Sequence, residues 1–360
     1  MILVSLTRER DGEAAARKLL DFLSTHRERL SPLLILTHDF PDPDALASAW
    51  GLQHLVRAFG IEARVVHGGV ISRAENRAMV KLLKLPVRRV KPADLKRHRH
   101  VALVDTQPRF ENNPFPSGRK ATIVIDQHKS AVEPLAELSV IDVDCGATCV
   151  IVADALLLHE VEIPTALATA IVYGILSDTL DLYRVTRPSV IRTYLTILHR
   201  CDMRTLAEIQ NPPRSRRFFT TLGRGIQTAA AYRRVMVAHL GAVSGPEDVA
   251  QVADFLLTYE RVDWSFCTGR SRGSLYLSLR TNKPNGQASD VLRRVVNDPD
   301  EAGGHGGVAG GKIAIPADAT EADCAALEQG LQVRLAKRLR LPAAAEFRRV
   351  FVSPTPHGQT

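Results

Sequence analysis

Three short, unbroken apolar runs constrain this chain more than any other feature: 33–37 (LLILT), 101–104 (VALV) and 121–125 (ATIVI). A strand that is apolar on every residue leaves no face for water, so both of its faces must be covered. Segments with helical apolar spacing surround these runs, at 13–26, 44–60, 75–85, 147–160 and 165–176. With further strands at 61–67 and 139–144, the pattern predicts a parallel sheet covered by helices, an α/β domain. In such sheets ligands bind beyond the carboxyl ends of the strands.

Those ends carry the chemistry. His38 follows the first run, Asp105 the second and Asp126 the third, and Asp178 follows the stretch GILS. A single aspartate after a strand usually starts a turn or caps a helix, and Asp44 alone reads equally as the N-cap of the segment after it. Four such ends beside the paired carboxylates of Asp42 and Asp44 form a different pattern. Converging carboxylates repel one another unless a cation sits between them. Carboxylates with imidazole, and no clustered thiolates, suit Mn²⁺ or a similar oxygen-preferring ion better than a zinc–thiolate site. A carboxylate shared by two ions lets them hold water and a phosphoryl oxygen together.

The bulk composition narrows the class. The chain has 360 residues, 45% hydrophobic and 24% charged, which suits a well-filled core and about two domains. Aromatics are only 5%, so stacking bases on an aromatic platform is a poor expectation. The formal charge of +8 favours anionic ligands. Cys145, Cys149, Cys201, Cys267 and Cys324 are odd in number and contain no CxxC pair, which suits a reduced cytoplasm. No apolar run is long enough to span a bilayer, and the N-terminus turns charged from Arg8 onward. A soluble cytoplasmic protein without membrane partners is expected.

Near Asn211 the texture changes. The stretch 211–225 (NPPRSRRFFTTLGRG) reads as a linker or hinge. Beyond it come a strand at 233–241, a helix at 246–259, a hairpin about GRSRG within 262–281, a helix at 288–296, a glycine-rich loop at 302–311 and a last helix at 321–339. The expected division is a domain at 1–210, a linker at 211–228, a smaller α+β domain at 229–345 and a tail at 346–360. The basic runs at 214–217 and 270–272 could steer a nucleotide, although most such runs are simply solvated.

These residues resemble the DHH phosphoesterase superfamily. THDFPDPDALAS is similar to its first motif, ALVDT to the second, VIDQHKS to the Asp-His-His motif and GILSDT to the fourth. GGHGGVAGG resembles the glycine-rich signature of the DHH-associated domain, and LSLRTN the strand before it. The resemblance runs in order along nearly the whole chain and is closest to the nanoRNase/pAp-phosphatase type. It implies a phosphoesterase acting on short oligoribonucleotides or small nucleotides (pAp, cyclic dinucleotides) by two-metal activation of water. The ions would be two Mn²⁺, with Mg²⁺ or Co²⁺ as substitutes.

By motif position the resemblance implies one ion on His38, Asp42 and Asp105, and a second on Asp44, Asp105 and Asp178, with Asp105 bridging and catalytic. Gln127 stands where the family has the first histidine of Asp-His-His, and an amide oxygen is a weaker ligand than imidazole. His128 matches the second histidine and is expected to approach the substrate phosphate. Asp126 is expected to orient its neighbours. Arg280, Gly303, Gly304 and His305 are expected to bind nucleotide phosphate, and Ala302 replaces the first glycine of the family's run. The alternatives are a polyphosphate or pyrophosphate hydrolase on the same metal core, and a nucleotide-binding regulatory protein weakened at Gln127. A homodimer is one arrangement that the sequence leaves open.

Overall fold

The computed structural model describes residues 2–284 and 286–351. The chain divides into two compact units, Met1–Pro213 and Arg214–Thr360. No described helix is long and apolar enough to cross a membrane.

In the first unit, α1 (Ile2–His26) precedes β1 (Leu33–Thr37), α2 (Pro43–Ala58), β2 (Ala63–His67), α3 (Ala74–Leu82), β3 (Val87–Arg89), α4 (Pro92–Arg97), β4 (His100–Val104), β5 (Ala121–Asp126) and β6 (Ala136–Ile141). Helices α5 (Thr148–Leu158), α6 (Thr165–Thr179), α7 (Pro188–Leu198) and α8 (Met203–Gln210) follow. The six strands form one parallel sheet in the order β3-β2-β1-β4-β5-β6. The parallel sheet expected from the apolar runs is present, and it gains the short β3.

The unbroken apolar runs are explained by two cores. Leu33 and Ile35 of β1 join Ala102, Val104, Ile123 and Ile125 in the larger core beneath α2, α5 and α6. Leu34 and Leu36 join Val101, Leu103 and Val124 on the opposite face. Alternate side chains of a strand point to opposite faces, so each run needs apolar residues at both parities. Truncating one of these leucines to alanine costs about 2–5 kcal/mol.

In the second unit, α9 (Arg216–Thr228) precedes β7 (Ala230–Tyr232), β8 (Val235–Ala242), α10 (Pro246–Leu257), β9 (Trp264–Ser271), β10 (Ser274–Thr281), α11 (Ala288–Arg293), β11 (Ala302–His305), β12 (Val308–Ala314), α12 (Glu321–Arg338) and β13 (Arg348–Arg349). Its sheet runs β11-β12-β10-β9-β8-β7-β13, with only the β8–β9 pair parallel. It is the α+β arrangement expected. The hairpin about GRSRG forms, with Arg272 and Gly273 both at positive φ (49° and 70°), which suits a tight two-residue turn.

Two expectations are corrected. Residues 211–228 are not an open linker, because Arg216–Thr228 is helical and Ser215 caps it by accepting from the Phe218 amide at 3.2 Å. Both prolines that suggested a linker, Pro212 and Pro213, lie before that cap, while Arg216, Arg217 and Arg224 are in the helix. The glycine-rich stretch 302–311 is not a loop but a β-hairpin paired to β10. Glycine is required there because Gly304 sits at φ +145° and a Cβ on it would collide with the Val308 carbonyl. Most of the tail expected at 346–360 lies outside the described residues.

Candidate metal centre

The strand order reverses between β1 and β4, whose connections leave toward opposite sides of the sheet. That crevice is where a doubly wound sheet opens a binding site. His38 leaves β1 on one side of it and Asp105 leaves β4 on the other. Asp105 is held at φ 58°, a left-handed conformation that aspartate tolerates better than most residues, with its amide donating to the Ile125 carbonyl at 2.9 Å.

Two groups of metal-competent atoms meet at Asp105. Ligand atoms of His38, Asp42 and Asp105 all lie within 4.8 Å of one another, as do those of Asp105, Asp126 and His128. His38 Nε2 is 3.5 Å from Asp105 Oδ2, and His128 Nδ1 is 3.6 Å from Asp105 Oδ1. Thr148 Oγ1 donates to Asp105 Oδ1 at 2.8 Å. Asp42 caps α2, accepting from the Ala45 amide with Oδ1 at 2.9 Å. Pro43 follows at the first helical position, where its missing N–H does no harm. The cap is thus Asp42 rather than Asp44.

Asp44 is buried and serves another helix. It accepts from the backbone amides of Thr148 and Cys149 at 2.7 and 2.8 Å, at the start of α5, and from Ser48 Oγ at 3.3 Å. It belongs to neither group, although the charges of Asp105 and Asp178 bear on it. Gln127 Nε2 donates to Asp178 Oδ2. Gln127 therefore meets the acidic set as a donor to Asp178, where the sequence suggested an amide oxygen facing a metal.

The electrostatics follow from crowding. Burial and then the neighbouring carboxylates raise the pKa of Asp44, Asp105 and Asp178. Burial opposes a charged His38, but the Asp105 contact and the charges of Asp42 and Asp105 outweigh it and its pKa is raised. The Asp126 hydrogen bond, at 2.8 Å, lifts His128 to about 10 against the effect of burial. A divalent cation would relieve this repulsion, and imidazole plus carboxylate is a donor set that oxygen-preferring ions accept. The residues present therefore fit such an ion.

Sequence reading missed Gln107 and Thr148. Gln107 Nε2 bridges Asp126 Oδ2 and the His128 carbonyl, both at 2.8 Å, and Asn113 braces that loop by donating to the Gln107 carbonyl at 2.9 Å. A polar residue two places after Asp105, and a threonine opening an apolar helix, were the only available signals. Gly68 also matters: a Cβ there would collide with the Asp39 carboxylate beside His38.

The second unit's candidates are placed differently. Arg280 is buried on β10, where Nε donates to Asp254 Oδ1 at 2.5 Å and Nη1 to the Ala309 carbonyl at 2.9 Å. Gly303, Gly304 and the backbone of His305 form β11, while the side chain of His305 lies outside the described residues.

Residues 32–175 match the family described as "DHH family, N-terminal domain". An uncharacterized protein of Methanocaldococcus jannaschii is 28% identical over 300 residues, covering 83% of this chain and 61% of the relative. The chain thus spans under two thirds of that relative's length. Among solved structures, an exopolyphosphatase-related protein from Bacteroides fragilis has a TM-score of 0.71 at 15% identity, covering 91% of this chain and 98% of that one. RecJ from Thermus thermophilus in complex with Mn²⁺ has a TM-score of 0.54 at 14% identity, covering 90% of this chain and 55% of that one. At such identities these likenesses bear on the fold. Over residues 32–175 the chain carries a domain that matches the DHH family, N-terminal domain.

Proposed function

We propose that the chain is a metal-dependent phosphoesterase that hydrolyses phosphate esters of short oligonucleotides or small nucleotides, of the pAp or cyclic dinucleotide kind. One observation carries the reading: Asp105 is shared by the His38–Asp42 group and the Asp126–His128 group, at the reversal of strand order. In this reading His38, Asp42 and Asp105 hold one ion, and Asp105 with Asp178 and Asp44 flanks a second, with Gln127 acting through Asp178. Mn²⁺ is the proposed ion, with Mg²⁺ or Co²⁺ as substitutes. Divalent ions in such a site supply a nucleophile from water at neutral pH and charge to oppose the phosphoryl oxygens.

The protein's own groups do the rest. Asp126 accepts from His128 Nδ1, so the imidazolium presents Nε2–H to a phosphoryl oxygen. In the metal-free chain its pKa lies near 10, so His128 is charged at neutral pH and poised to donate a strong hydrogen bond where charge develops. Gln107 holds Asp126 and the His128 backbone in place. In the second unit, Arg280 with Gly303, Gly304 and His305 is assigned the nucleotide phosphate. Arg280 would exchange its Asp254 carboxylate for a phosphate oxygen, one anion for another.

The test is a panel of pAp, a dinucleotide, a cyclic dinucleotide, pyrophosphate and polyphosphate, each with Mn²⁺, Mg²⁺ and Co²⁺. The proposal expects Mn²⁺-dependent turnover of a nucleotide substrate that disappears in Asp105→Asn. Turnover of polyphosphate alone would assign the core to that chemistry instead. Nucleotide binding without turnover under any metal would make the chain a regulatory binder.

A further inference from the structure

A second cluster of charge lies at the amino edge of the first unit's sheet, away from the metal centre. A cavity of about 690 Å³ opens there, lined by Arg57, Arg64, Arg97 and His98, with Glu62 as its one acidic neighbour. The first residues of β1 and β2 are register partners, Leu33 with Ala63, so the cavity sits where these strands begin. His38 follows the far end of the five-residue β1, roughly 17 Å away at 3.3 Å per residue. Active sites of such sheets open at the other edge.

The three arginines come from three elements: the last turn of α2, strand β2 and the last turn of α4. All three are exposed, and none of their side chains makes a hydrogen bond or ion pair with another described residue. The ordinary role of a cation at a helix C-terminus is to meet the last carbonyls. Those positions are already taken. At the end of α4, Arg119 from a distant loop donates to the carbonyls of Leu95, His98 and Arg99. At the end of α2, the Arg57 carbonyl accepts from the Gly60 amide, and the Val56 carbonyl accepts from Phe59 and Ile61. His98 is fixed by its Nδ1, which donates to the Asp94 carbonyl at 2.9 Å. Three arginines thus line one cavity with no side-chain partner among the described residues, against one acidic lining residue, Glu62.

We propose that this cavity is an accessory site for a chain of phosphate groups, free or carried by a nucleoside. Guanidinium forks grip phosphate oxygens through paired hydrogen bonds. The volume falls within the range of small-molecule sites and accommodates a nucleoside diphosphate. The site stands independently of the reaction assigned to the metal centre.

Calorimetric titration of the full chain in the presence of chelator, with pyrophosphate and with ADP, tests it. The parent and Asp105→Asn should bind pyrophosphate alike. The triple variant Arg57→Gln/Arg64→Gln/Arg97→Gln should bind at least about tenfold more weakly, because one charge-assisted hydrogen bond already outweighs that factor. Its melting temperature and its metal binding should match the parent's. Should the triple variant fail to fold, Arg64→Gln on the strand must by itself weaken binding severalfold. ADP binding tighter than pyrophosphate adds the nucleoside to the ligand, and equal binding assigns the phosphates alone; either supports the site. Binding that survives in the triple variant, that disappears in Asp105→Asn, or that is absent from the parent overturns it.

Discussion

Asp105 Oδ2 stands 3.5 Å from His38 Nε2, across the β1–β4 gap at which the strand order of the sheet reverses. The two residues are far apart in the chain, and only the parallel pairing of their strands brings them together. Asparagine copies the shape of Asp105 and tolerates its left-handed backbone, but cannot serve two cations as an anion. Asp105→Asn should therefore keep the melting temperature of the metal-free protein within a few degrees while losing Mn²⁺ affinity and turnover by about 100-fold or more. Calorimetry and an activity assay read both quantities, and a fully active variant would remove Asp105 from the centre.

The elevated pKa of His128 depends first on Asp126. In the metal-free chain, Asp126→Asn should bring it down from about 10 toward the ordinary imidazole value near 6.5. NMR titration of the His128 ring checks this directly. An unchanged midpoint would mean that the charges of Asp105 and Asp178 hold the proton without Asp126.

Gln127 meets Asp178 through its amide nitrogen. Gln127→His replaces that neutral donor with a ring that can ligate a metal. One binding event in a metal titration should tighten, more for Co²⁺ than for Mg²⁺, because imidazole favours ions late in the Irving–Williams order. Titration curves identical to the parent's for both ions would show that position 127 acts on the carboxylate alone.

Asp154 offers a pH test remote from the metal centre. Burial pushes its pKa up to about 7, opposed by a hydrogen bond from Thr193 Oγ1 at 2.5 Å and by the charge of Arg187. The folded state holds the proton more tightly than the unfolded state, so this group's contribution to stability falls as pH rises from about 4 to about 7 and is level above that. Asp154→Asn should remove that fall, which amounts to a few kcal/mol at most. Melting temperatures of the two proteins between pH 4 and 8 decide it: parallel curves would mean that Asp154 ionises freely in the fold.

The sheet, its parallel sense and the edge on which the chemistry collects were legible in the order of the residues. Unbroken apolar runs such as LLILT can only be strands covered on both faces, and the residues that end them must then share one edge. What that order could not determine was which carboxylate does what. Asp42 and Asp44 are equivalent in the string DPD, but Pro43 starts α2 between them. Asp42 is thereby left at the cap facing His38, while Asp44 is turned inward onto the amides of α5. That choice depends on a helix about a hundred residues further along, packed by its apolar surface. The same reason hid Gln107 and Thr148, the strand pairing of the glycine stretch, and the partnership of Arg280 with Asp254. Each is a contact between residues distant in the chain, set by packing rather than by local pattern, and it exists only once the chain is folded.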